Sequence, residues 1–119
     1  MAVPIVEEFI ELAEIDTVSR QERAMVDALK GKLEDTASKV DGTAGNLIAV
    51  LEGQTEGSVL LAAHVDRVQN GFGIKPQVRD GKIVSDGTTV LAADDLSGVA
   101  AILDGLRQAP SGGGALLGM

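Results

Sequence analysis

The sequence predicts an α/β fold in which helices cover a mostly buried sheet. Three observations carry this reading. Near the start, Ile5, Phe9, Leu12 and Ala13 and then Met25, Leu29 and Leu33 recur at helical spacing. The middle holds short apolar runs, "NLIAVLEG" and "SVLLAAHVD", divided by the polar loop "GQTEG". Later, Val99, Ile102, Leu103 and Leu106 mark a third amphipathic helix. The predicted order is ααββ(ββ)α.

Each element has a local cause. Pro4 suits the first turn of a helix, where a missing N–H costs nothing. Ser19 and Glu22 fit the S-x-x-E box that starts the second helix, after a short turn near Asp16 to Ser19. The two apolar runs read as paired or neighbouring strands. In "QVRDGKIVSDGTTV" the Asp80-Gly81 pair lies between β-prone runs and predicts a hairpin. The third helix is expected to start at about Asp95 or Ser97. From Pro110 the chain reads "PSGGGALLGM", without a period and rich in glycine. It predicts a flexible tail over 110–119, leaving 1–109 as the folded part.

Composition narrows the function. The chain has 119 residues, no Trp or Tyr and two Phe, so Val, Leu, Ile and Ala must fill its core. A net charge of −8 opposes nucleic-acid binding and favours cationic ligands or metals. The absence of cysteine excludes disulfides and thiolate metal sites. No apolar run reaches membrane-spanning length, and no basic leader precedes the first helix. The expectation is a cytoplasmic protein with neither nucleic acid nor membrane as partner. The Glu7-Glu8 pair reads as a solvated helix face.

Two segments can carry chemistry. In "LLAAHVDRV" the chain's single histidine, His64, precedes Asp66 by two residues at a strand end. Alternation puts residues i and i+2 on one side, so His64 and Asp66 can face a common site. Imidazole is the commonest metal ligand, and a carboxylate often orients it. An isolated H-x-D, however, is more often a structural histidine beside a solvated aspartate. In "LAADDLSGVAAIL", Asp94 and Asp95 precede a helix. Asp95 or Ser97 can serve as its N-cap. Capping does not require two adjacent acids, whereas a cation beside them gives the pair a reason. Gly98 permits close backbone approach just inside the helix, or simply packing.

Together these runs resemble a known family. "LLAAHVDRV…GIKPQVRDGKIVSDGTTVLAADDLSGVAAILDGL" is similar to the N-terminal catalytic segment of the co-catalytic zinc exopeptidases, and most to their peptidase T-like branch. The resemblance covers roughly Pro4 to Arg107. It implies a partial three-layer α/β/α fold with a mixed sheet, truncated after the third helix. It implies that His64 and Asp94 are metal ligands, Asp94 as the bridge between two zinc ions, and that Asp66 is the catalytic-site carboxylate supporting His64. The peptide after the bridging aspartate, here Asp94–Asp95, is expected to be cis. Two zinc ions would polarise a peptide carbonyl and acidify the attacking water, with cobalt or manganese as alternatives. The implied substrates are small peptides or N-acyl amino acids.

Three departures accompany the likeness. Leu96 stands where the branch has lysine, removing a cation near the site. Arg67 stands where threonine is usual, and is expected to change charge at the pocket mouth. No acidic residue follows Asp104, so the family's downstream Glu-Glu pair, base and ligand, has no counterpart. The expectation is half a site, holding at most one ion weakly and inactive alone. It fits the N-terminal portion of a zinc-dependent aminopeptidase or tripeptidase; the competing reading is a non-catalytic α/β binding or assembly module. An uncovered strand edge predicts a homo-oligomer.

Overall fold

The computed structural model describes residues 4–17, 23–35, 39–43, 46–54, 56–67, 72–108 and 113–118. Helices α1 (Pro4–Glu14) and α2 (Arg23–Glu34) open the chain. Strands β1 (Lys39–Thr43), β2 (Asn46–Leu51) and β3 (Leu60–His64) follow, then the hairpin strands β4 (Gln77–Arg79) and β5 (Lys82–Val84). Helix α3 (Ala93–Gln108) and strand β6 (Gly113–Gly118) complete it. The fold is a mixed α/β arrangement, as the sequence predicts. The expected capping box, Ser19 and Glu22, lies outside the described residues.

The main sheet has the order β1-β2-β6-β3. β1 and β6 flank β2 antiparallel, and β6 runs parallel to β3 with Gly118 opposite His64. Two expectations change here. β2 and β3 are not neighbours, because β6 lies between them. And residues 113–118, expected within a flexible tail, form that central strand. The glycines hid it, since they leave no apolar alternation to read. Two facing strands with open backbone edges supply the hydrogen bonds that the segment's own composition does not advertise. β1 was equally illegible: "KVDGT" carries no alternating pattern, and it is ordered by pairing with β2, Thr43 opposite Asn46.

The Asp80-Gly81 hairpin forms as predicted. Both turn residues have positive φ, 51° and 75°, which matches the right-handed twist of the flanking strands.

One core joins the layers. Phe9, Leu12 and Ala13 of α1, Met25, Leu29 and Leu33 of α2, and the apolar face of α3 meet Leu47, Ala49 and Ala63 of the sheet. These are the stripe residues of the sequence. β3 has β6 as its partner among the described residues, and Val59 and Leu60 at its start are 64% and 68% exposed. No helix among the described residues is long and apolar enough to cross a membrane.

Glu8 departs from its expected place on a solvated face: it is 6% exposed. Arg107 of α3 donates to its Oε2 at 2.8 Å, and Lys32 of α2 lies 3.1 Å from Oε1. Lys32 also donates to Glu11 at 2.9 Å. The Lys32–Glu8 contact is an ion pair and not a hydrogen bond. Burial opposes ionisation of Glu8, but the hydrogen bond from Arg107 and the positive charges of Arg107 and Lys32 prevail and hold its carboxyl below the ordinary value. One acid thus fastens three helices. Helical spacing placed Glu8 beside the apolar stripe, but its two cations come from distant sequence.

Candidate metal centre

β3 ends at His64, and burial then alternates along the chain: Val65 and Arg67 are buried, while His64 and Asp66 are partly exposed. That period of two puts the imidazole and the Asp66 carboxylate on one side, as the H-x-D spacing predicts. Asp66 Oδ1 lies 2.8 Å from His64 Nδ1. Asp94 Oδ1 lies 2.9 Å from His64 Nε2. The structure brings all three predicted site residues together, and they lie at the C-terminal edge of parallel strands, where open α/β sheets bind ligands.

The hydrogen bond to Asp94 raises the His64 pKa; burial opposes it, and Asp66 adds to the rise. An imidazole between two carboxylates donates from both nitrogens only when doubly protonated.

The adjacent acids divide their work at the start of α3. Asp94 and Asp95 have non-helical backbone angles (φ −92°, ψ 99° and φ −122°, ψ 36°), so regular helix begins at Leu96. The Asp94–Asp95 peptide is cis, as the resemblance implies. Asp95 Oδ1 accepts the Gly98 N–H at 3.2 Å, three residues on, which makes Asp95 the N-cap. Ser97, the other candidate cap, instead donates to Ala93 O at 2.7 Å. Asp94 is left largely exposed and turned to His64. Gly98 has a reason as well. A Cβ there would lie 2.6–2.8 Å from the Asp95 carboxylate atoms. An alanine there would have to displace the Asp95 carboxylate that caps the helix.

Upstream, "SDGTT" folds on itself. Asp86 Oδ1 accepts the Thr88 N–H at 2.9 Å and the Thr88 hydroxyl at 2.6 Å. These bonds hold the Asp86 carboxyl below its ordinary value. The turn delivers the chain from the hairpin to α3. Just before that helix, Ala92 takes φ 68°, a left-handed conformation rare for a residue with a side chain.

Of the three departures from the resembled pattern, the two substituted residues are both buried. Leu96, 1% exposed, belongs to the core. Arg67, expected at the pocket mouth, is 4% exposed. Its Nη2 donates to Leu12 O at 2.8 Å, near the C-terminal end of α1, where a cation is favoured. Burial pulls the guanidinium pKa down, and Asp16 opposes this. The alternation starting at His64 signalled an inward Arg67. Its partner, 55 residues earlier, was not legible.

Zinc bonds to nitrogen and oxygen are about 2.0–2.2 Å, so ligands of one ion stand roughly 3 Å apart. The 2.9 Å between His64 Nε2 and Asp94 Oδ1 fits that spacing, and with Asp66 on Nδ1 it is Nε2 that would face an ion. The donor set fits a zinc-type ion in part: among the described residues, no group of three or more His, Cys, Asp or Glu is placed to hold a metal.

No known family description matches the chain. It is 39% identical over 114 residues to the uncharacterised protein YqjE of Bacillus subtilis (strain 168), over 87% of this chain and 30% of that one. Its fold matches the crystal structure of aminopeptidase PepT from Bacillus cereus with a TM-score of 0.88 and 34% identity. A tripeptidase from Staphylococcus aureus matches with a TM-score of 0.88 and 30% identity. Each match covers 96% of this chain and 35% of the other. Aminoacylhistidine dipeptidase from Vibrio alginolyticus shares the fold, with a TM-score of 0.75 at 22% identity. In fold and sequence the chain is similar to one part of the peptidase T-like aminopeptidases and tripeptidases. It spans about a third of the length of the relatives it matches.

Proposed function

We propose that this chain carries the first metal-binding half of a dinuclear peptidase site acting on small peptides. One observation carries the reading: His64 is held between Asp66 and Asp94, with two potential donors 2.9 Å apart at a sheet edge. His64 and Asp94 hold the ion, zinc first, with cobalt or manganese accepted by the same donors. Asp94 stands at the position of the bridging carboxylate. Asp66 accepts the Nδ1–H of His64, which fixes the tautomer and makes Nε2 a better donor. Asp95 caps α3 and so keeps Asp94 free to face the histidine. When bound, the metal supplies a Lewis acid that polarises the scissile carbonyl and acidifies water.

These 119 residues alone hold at most one ion, weakly, and hydrolyse peptides poorly. A structural or catalytic zinc takes three or four protein ligands. The family's acidic base has no counterpart after Asp104. A missing general base costs a rate factor of about 10²–10⁴. A cysteine-free acidic chain suits the reducing cytoplasm. The exposed start of β3 supports self-association through that edge.

The test combines calorimetric zinc titration with di- and tripeptide hydrolysis. Zinc binding is expected to be weak and lost in His64→Ala, with hydrolysis near background. Tight zinc binding that survives His64→Ala overturns the site. Robust tripeptide hydrolysis abolished by His64→Ala overturns the proposed inactivity.

A further inference from the structure

We infer that Arg67 is a positioning residue for the candidate metal site, holding Asp66 on His64 through its bond to the end of α1. The inference rests on the metal-site reading given above and extends it to a residue that touches no ligand atom.

β3 and its pairing with β6 end at His64. Residues 65–67 continue past the strand without a place in the ladder. Yet Asp66, on that segment, must stay 2.8 Å from the imidazole to orient it. Its two neighbours are the anchors. Val65 is 2% exposed within the core, and Arg67 is 4% exposed with its guanidinium on Leu12 O at 2.8 Å. Leu12 O is a firm point, because it also accepts the Ile15 N–H at 3.2 Å in the closing turn of α1. The next residue there, Asp16, accepts the Gly73 N–H at 2.8 Å. The end of α1 is therefore tied on one side to the segment bearing Asp66 and on the other to the loop before β4.

An aliphatic residue at 67 would fill space but offer no directed bond. Arginine gives a donor of fixed geometry on a long stem, so it reaches a carbonyl across the domain and sets the position of the preceding residue. Loss of an outer-shell partner of a metal-binding histidine typically weakens metal affinity about 10–100-fold. Arg67 acts one step further out, so the low end of that range applies.

His64 is the only histidine, so its ring nitrogens give unambiguous NMR signals. Spectra of the metal-free chain compare the native protein with Arg67→Met, which keeps an unbranched apolar stem and loses the donor. Asp66→Asn supplies the reference for a histidine without its carboxylate. Arg67→Met is expected to move the Nδ1 signal toward the Asp66→Asn position and to raise the zinc dissociation constant about tenfold. Arg67→Lys, which keeps a cation but has a shorter reach and no planar fork, is expected to move it the same way by less, and serves if the methionine variant does not fold. A His64 signal unmoved in every folded variant overturns the inference. Failure of the native chain to bind zinc would instead overturn the metal-site reading, since the spectra are taken without metal.

Discussion

His64 Nε2 lies 2.9 Å from Asp94 Oδ1 across thirty residues of sequence. That contact joins the end of β3 to the start of α3, and it is the geometric core of the candidate centre. Replacing either residue by alanine is expected to abolish zinc binding measured by calorimetry. Asp66→Asn is expected to weaken binding about 10–100-fold, because it disturbs the orientation of His64 and removes no donor. Equal losses in all three variants would contradict the division into ligands and support.

The cap of α3 makes a sharper test because two residues are coupled. Asp95→Ala is expected to cost about 1 kcal/mol in urea unfolding, the usual loss of an N-cap. Gly98→Ala is expected to destabilise the native chain, since the new methyl meets the Asp95 carboxylate. In the Asp95→Ala background the same change is expected to stabilise, by up to about 1 kcal/mol, through helix propensity alone. A Gly98→Ala effect of the same sign in both backgrounds would show that the two sites do not interact.

Glu8 predicts an acid dependence. Its carboxyl is held below the ordinary value of 4.5 by Arg107 and Lys32 against the cost of burial. A carboxyl with a lowered folded pKa contributes stability in full above its unfolded pKa. That contribution is lost as pH falls below about 4.5 and through the lowered folded value. Glu8→Gln is expected to cost about 1–3 kcal/mol at pH 7, less than a fully buried pair because Arg107 is partly exposed. The difference between Glu8→Gln and the native chain should shrink in acid. A difference independent of pH from 7 to 3 would refute the role.

The start of β3 predicts association. Leu60 is exposed on an edge strand, a surface that pairs readily with another chain. Light scattering over a dilution series is expected to show a dimer or larger species, and Leu60→Lys to shift it toward monomer without loss of fold. A strictly monomeric native chain at micromolar concentration would end this proposal.

The sequence by itself determined what depends on neighbours in the chain. Helical stripes in "PIVEEFIELAE" and "GVAAILDGL" named the buried faces. Asp80-Gly81 named its own turn, because only residues tolerant of positive φ make it. H-x-D spacing put His64 and Asp66 on one side, and the alternation of burial continues through Arg67 although β3 itself ends at His64. The likeness of the motif run paired this segment with Asp94, which no local rule could do.

Tertiary structure decided the rest. Which of Asp94 and Asp95 caps the helix depends on where α3 starts relative to β3. Arg67 and Glu8 are charged, and charge by itself reads as surface. Each is buried because distant backbone or side chains compensate it: Leu12 O for Arg67, Arg107 and Lys32 for Glu8. "GGALLG" is a strand because β2 and β3 stand on either side with unpaired hydrogen-bonding groups, a demand that no property of glycine or alanine records. Apolar faces are written in the residues that form them, whereas compensation of buried polar groups is written in their partners.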